Sequence, residues 1–285
     1  MKNVKLGHSK PTVCLDAGHY GQYNPSPVVQ GYYEAETVWS LHLKLKSELE
    51  KLGIRVVTTR NRQSEDLPLT SRGKTSAQAD LFISLHSNAA SSDVPNWVVG
   101  MYFVDDDCGI IDGQSQEITE ILCKKVASVM GVGHQIYTRE SAKDRDGNGH
   151  KDDYYGVLRG AHAVGTPGVI LEHGFHTNEA NTRWLMKEDN LQKLAEAEAL
   201  SIADWFGMVP KLLPFSLPVL KKGAKGGAVY GMQALLRGWG YDQLELDGSF
   251  GGATQRALKD FQNNHALEPD GSCGRATWSE LLGIY

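Results

Sequence analysis

From residue 12 to residue 206 the chain alternates short apolar runs with stretches whose apolar residues recur every three or four positions. The runs TVCLD (12–16), IRVVTT (54–59), LFISL (81–85), VVGMYFV (98–104) and GVILE (168–172) have the length and β-branched content of strands. Between them, residues 36–52 place Val38, Leu41, Leu45, Leu49 and Leu52 on one helical face, and Gly53 follows as a stop. Residues 116–130 and 190–206 read as further helices. Such alternation predicts an α/β fold, a largely parallel sheet flanked by helices. Ligand sites in such sheets form beyond the carboxyl ends of the strands.

Three of the strand-like runs lead into metal-capable side chains. TVCLDAGHYG (12–21) carries His19, LFISLHSNA (81–89) carries His86, and GVILEHGFHTN (168–178) carries Glu172. Glu34 stands just ahead of the first helix, with Glu36 as its rival for the same role. Two imidazoles and one carboxylate form a zinc-ligand set that leaves a position for water, as hydrolysis requires. His19, Glu34 and His86 make such a set, and Glu172 is then a carboxylate free to carry a proton. Asp16 is expected to orient an imidazole from behind, although an Asp there is equally a turn residue.

The segment 207–218 holds Pro210, Pro214 and Pro218, which suits an extended linker. The chain is therefore expected to divide into residues 1–206, a linker at 207–218, and a small domain at 219–285. The small domain contains an internal echo. DGSFGGATQRAL (247–258) is matched by DGSCGRATWSEL (270–281), each an Asp-Gly turn followed by a helix start. With a helix near 229–236 these units predict a three-helix module. Its aromatics Tyr230, Trp239, Tyr241, Phe250, Phe261 and Trp278 are mostly expected in its core.

A formal net charge of -5 argues against a nucleic-acid partner. No apolar run reaches membrane-span length, and the first residues, MKNVKLGHSK, hold no apolar stretch of signal-peptide length. Neither a membrane partner nor a signal peptide is expected. Cys14, Cys108, Cys123 and Cys273 lack framework spacing and read as free thiols. DRDGNGHKDD (144–153) has the oxygen-ligand spacing of a calcium loop, but Tyr155 stands where the bidentate Glu belongs. It reads as a solvated polar loop, and calcium is not expected as a cofactor. The oligomeric state is left open.

Several ordered motifs resemble one family. DAGHYG (16–21), Glu34 through Gly53, VVTTRNR (56–62), LTSR (69–72), ADLFISLHSNA (79–89) and GVLRGAHAVGTPGVILEHGFHTN (156–178) together resemble the type 3 zinc-dependent N-acetylmuramoyl-L-alanine amidases. The resemblance implies a Zn2+ cofactor held by His19, Glu34 and His86, with Glu172 as catalytic base and peptidoglycan as the substrate. Counting back from Leu52-Gly53 favours Glu34 over Glu36. Tyr20 replaces the glycine usual after the first His, and His173 and His176 stand where the family is commonly apolar. These two histidines are read as groove-lining or as core residues, and Asn88 as a residue near the substrate. Residues 219–283 resemble the type 1 peptidoglycan-binding module over its whole length. The combination implies a cell-wall hydrolase of endolysin type, with a sporulation autolysin or another zinc peptidase acting on stem peptides as alternatives. The expected route to the wall is release from the cytoplasm.

Overall fold

The computed structural model describes residues 10–104, 109–145, 149, 151–208, 217–265 and 267–282, with backbone alone at 109–112. The chain forms two compact units, Met1–Phe206 and Gly207–Tyr285. Residues 209–216 of the expected linker, Cys108, and residues 146–148 and 150 of the polar loop lie outside the described residues.

The first unit is built on one sheet of β1 (Thr12–Ala17), β2 (Arg55–Thr58), β3 (Leu81–Asn88), β4 (Trp97–Tyr102), β5 (Gly133–Tyr137) and β6 (Gly168–Phe175). The strand order is β2-β1-β3-β6-β4-β5. All neighbours run parallel except β4 and β6. The α/β expectation therefore stands, with one antiparallel junction inside the sheet. β1 is buried along its whole length, which explains its unbroken apolar run. β5 is not among the runs that read as strands in the sequence. It is an edge strand whose residues alternate between exposed and half-buried, so it has no apolar run to read.

Two helical layers cover the sheet. α1 (Glu34–Lys51) and α3 (Gly109–Met130) both pack on α6 (Glu188–Trp205). α2 (Leu69–Lys74) and α4 (Gly156–His162) pack together, and α5 (Glu179–Leu185) follows β6. Alternation along β6 separates the layers. Ile170 clusters with Val157 and Leu158 of α4, together with Val99 and Met101 of β4. His173, of opposite parity, meets Glu198 of α6.

α1 starts at Glu34, two residues earlier than its periodicity predicts, so Glu34 belongs to the first helical turn rather than to the loop before it. Its far end closes through Gly53, whose φ of 80° lets Ile54 N donate to Leu49 O at 3.0 Å and Gly53 N donate to Glu50 O at 3.0 Å. This pair of reverse bonds satisfies the last carbonyls of the helix.

The second unit contains α7 (Gly227–Gly238), α8 (Gly252–Asn264) and α9 (Arg275–Leu282) around Val229, Met232, Leu236, Phe250, Leu258, Phe261, Trp278 and Leu281. Its sequence echo is an echo of hydrogen bonds. Gln233 Nε2 donates to Asp247 Oδ1, Ser249 O and Thr254 Oγ1 while its Oε1 accepts from Gly248 N. Gln262 Nε2 donates to Asp270 Oδ1, Ser272 O and Thr277 Oγ1 while its Oε1 accepts from Gly271 N. Each glutamine thus ties one Asp-Gly-Ser turn to the helix that follows it. Phe250, Phe261 and Trp278 are buried as expected, whereas Tyr230 and Trp239 are largely exposed.

Candidate active site

His19 lies on the turn after β1, with a left-handed φ of 55°, a conformation non-glycine residues adopt rarely. Two arginines hold that turn by its backbone. Arg60 Nε and Nη2 donate to Ala17 O at 3.2 and 3.1 Å. Arg72 of α2 donates to Ala17 O at 3.3 Å and to His19 O at 3.2 Å. Arg72 is itself held by Asp16, whose Oδ1 lies 3.4 Å from Nη1, and by Asp66 at 2.9 Å.

Asp16 is fully buried and also accepts from Thr59 Oγ1 at 2.6 Å and Ser84 Oγ at 2.7 Å. The expectation that it orients an imidazole is therefore corrected. Its side chain points into the layer under α2, on the sheet face it shares with Ser84, and it acts on the His19 turn only through Arg72.

Glu34 is buried between the two imidazoles. Its Oε1 lies 2.8 Å from His86 Nδ1, and its Oε2 lies 3.3 Å from His19 Nε2. Ser87 N donates to Oε1 at 3.0 Å, and Asn24 Nδ2 donates to Oε2 at 2.7 Å. Burial alone would raise the Glu34 pKa, but the contacts with His19 and His86 outweigh it and hold the carboxyl well below its ordinary range. One donor atom from each of His19, Glu34 and His86 falls within 4.8 Å of the others. Two imidazole nitrogens and an ionised carboxylate at that separation fit a divalent ion that accepts mixed N and O ligands. Glu36 does not join them and instead accepts from Gln22 Nε2 at 2.9 Å.

Glu172 arrives from the neighbouring strand. His86 of β3 and Glu172 of β6 are register partners, so their side chains rise from the same face. Immediately afterwards the register shifts, Asn88 pairing with Phe175, and Gly174 takes a φ of 74° in the extra residue. A bulge here interrupts the ladder beside the site before pairing resumes at Asn88. Oε2 of Glu172 is buried and meets no hydrogen-bond partner among the described residues. Burial first, and the charge of Glu34 second, push the Glu172 carboxyl well above its ordinary range. One carboxyl is therefore held ionised and its neighbour is driven toward the proton-carrying form, which is the division of labour of a ligand and a proton shuttle.

The two histidines beside Glu172 do not line a groove. His173 is 1% exposed, with Nε2 3.0 Å from Glu198 Oε1 and Nδ1 3.0 Å from the carbonyl oxygen of His86. His176 is also buried, its Nδ1 lying 2.8 Å from Ser87 O and 3.0 Å from Ser87 Oγ. Tyr32 donates to the same Ser87 hydroxyl at 2.8 Å. Both imidazoles brace the backbone of β3, at the carbonyls of His86 and Ser87. Asn88 is half-buried and lines the groove that contains Glu172. Sequence reasoning missed Asn24, Ser87, Arg60 and Arg72. Only the two arginines left a signal, in VVTTRNR and LTSR, and nothing in those motifs says that they bind backbone.

Comparison with known proteins identifies the family. The family model of N-acetylmuramoyl-L-alanine amidases matches residues 13–204, and that of a peptidoglycan binding domain matches residues 225–281. The chain is 26% identical over 198 residues to the N-acetylmuramoyl-L-alanine amidase LytC of Bacillus subtilis, a match spanning 69% of this chain and 35% of LytC. It is 28% identical over 201 residues to the endolysin of Bacillus phage SPP1, spanning 70% and 67% of the two chains. The catalytic domain of CwlV, an amidase from Bacillus (Paenibacillus) polymyxa, superposes with a TM-score of 0.56 at 22% identity, covering 70% of this chain and 99% of that domain. Fold and appended module define a peptidoglycan hydrolase. The chain belongs to the N-acetylmuramoyl-L-alanine amidase family. Among the described residues no helix is long and apolar enough to cross a membrane.

Proposed function

We propose that this chain is a zinc-dependent amidase that cleaves the bond between the lactyl group of N-acetylmuramic acid and the L-alanine of the stem peptide. His19, Glu34 and His86 hold the metal. When bound, zinc supplies Lewis acidity, polarising the scissile carbonyl and making water acidic enough to react at neutral pH. Glu172 takes the proton from the attacking water and returns it to the departing alanine nitrogen. Among the described residues no hydrogen bond holds its Oε2, so no contact competes with the transfer. Asn24 and the Ser87 amide keep Glu34 aimed between the imidazoles, and Arg60 and Arg72 keep the His19 turn in place.

The single observation that carries this reading is the register pairing of His86 with Glu172, which sets a second carboxylate beside the three-donor cluster. In this reading residues 1–206 do the chemistry. Residues 219–285, which take in the peptidoglycan-binding match, hold the enzyme on polymeric wall and raise its local concentration. The likeness to a phage endolysin supports action on the wall after release from the producing cell.

The test is product analysis on purified peptidoglycan with elemental analysis of the protein. Stem peptides bearing a new N-terminal alanine, one zinc per chain, and loss of activity on chelation with recovery on zinc addition are expected. New reducing sugar ends, or cleavage within the stem, would overturn the reading.

A further inference from the structure

The row of side chains that begins at the donor cluster does not stop at Glu172. Val99 of β4 is the register partner of Glu172, and Gln135 of β5 is the register partner of Val99. His86, Glu172, Val99 and Gln135 therefore stand side by side across four strands on one sheet face. α4 begins only at Gly156 and covers the adjoining part of that face, where Ile170 and Met101 pack against Val157 and Leu158. Beyond it a groove of about 480 Å³ lies open, with Glu172 at one side and Gln135, Tyr137 and Arg139 at the other.

Arg139 is built into this groove. Its guanidinium lies 3.8 Å over the ring of Tyr154, and Tyr155 and Tyr137 line the groove beside it. Its carbonyl accepts from Tyr154 N at 2.7 Å, which fixes the backbone. Among the described residues no carboxylate forms an ion pair with it. A positioned guanidinium facing an open groove is a carboxylate receptor.

The chemistry gives the groove a direction. The proton carrier must stand next to the leaving nitrogen, and here the leaving nitrogen belongs to the stem peptide. The chain of the peptide therefore departs from the Glu172 side of the cluster, and the sugar lies on the side of His19. Gln135 stands two strand spacings from Glu172, roughly 10 Å, a span that about three residues of extended peptide cover.

We propose that the groove from Glu172 across Val99 and Gln135 to Arg139 receives the stem peptide, and that Arg139 pairs with a carboxylate in its first few residues. The assignment rests on the amidase reading above. It makes the enzyme selective for stems that carry a free acid over stems in which that acid is amidated.

The experiment uses the full chain and two matched soluble muramoyl peptides, one with a free stem carboxylate and one with the same carboxylate amidated. Wild-type protein is expected to favour the acid by about tenfold in kcat/KM, the worth of one partly exposed charge-assisted pair, chiefly through KM. Arg139→Gln abolishes the preference, and Arg139→Lys retains part of it. Equal wild-type rates on the two peptides, or a preference that survives in Arg139→Gln, would overturn the groove assignment while leaving the amidase reading intact. If wild-type protein frees no alanine amino group from either peptide, the amidase reading fails and this inference fails with it.

Discussion

A side-chain carbon at Gly18 would overlap the imidazole of His86, meeting Cε1 first. The turn after β1 and the end of β3 touch at van der Waals distance only because residue 18 has no side chain. Gly18→Ala must push His86 off its place beside Glu34. We expect a zinc content well below one per chain, and a stability loss of about 1–3 kcal/mol from overpacking. Metal analysis and denaturant unfolding check both. Full zinc occupancy in this variant would show that His86 has other room to move.

Glu172→Gln should keep the metal and the fold and lose the chemistry. The amide has nearly the shape of the carboxyl but cannot carry the proton, so kcat is expected to fall by at least about a hundredfold. The carboxyl is buried and driven toward its protonated form, so its removal is expected to leave the melting temperature unchanged or higher. A near-native rate would remove Glu172 from the reaction.

His42 predicts acid sensitivity. It is buried in α1 with Nδ1 lacking a partner among the described residues, and burial, then the nearby Arg60 charge, depress its pKa to about 4. The unfolded chain takes up this proton near pH 6.5, the folded chain only near pH 4. The stability contributed by the neutral ring is therefore complete above about pH 6.5 and is lost as pH falls toward 4, a change on the order of 3 kcal/mol. His42→Phe is expected to flatten that part of the stability–pH curve, measured by urea unfolding at pH 7 and pH 5.

The two glutamine brackets predict equal and local damage. Gln233→Ala leaves Gly248 N without its acceptor, and Gln262→Ala leaves Gly271 N without its own. Each should cost about 1–3 kcal/mol, the penalty for a buried group left unpaired. Thermal unfolding of the full chain should show the loss in the transition of the C-terminal unit, with amidase activity on soluble peptides retained. A large effect from one glutamine and none from the other would mean that only one bracket is structural.

The layers of this protein were not equally legible in its sequence. β1, β3 and β6 are buried strands, so their unbroken apolar runs and terminal His or Glu could be read directly. β5 could not, because an edge strand exposed on one side carries Gly133, Gln135 and Tyr137 where a run would be sought. The same alternation hid the groove, since Gln135, Tyr137 and Arg139 become one surface only when β5 is laid beside β4. Glu34 was found by counting back from Gly53, yet its place inside α1 was not, because a helix without a capping side chain gives no start signal at Tyr33. Asp16 was misread for a physical reason. An Asp three residues from a histidine suggests a local partner, but Asp16 sits deeper on the same sheet face and its carboxylate is taken up by Thr59, Ser84 and Arg72, contacts that only the tertiary fold creates.

The arginines that grip the His19 turn touch carbonyl oxygens and leave its ring alone. A side chain that tolerates the left-handed φ of position 19, as aspartate does, inherits the same backbone address. Exchange of that histidine for aspartate would thus alter which ions the pocket prefers without asking the turn to refold. Selection, or an engineer, is offered a socket whose plug can be swapped.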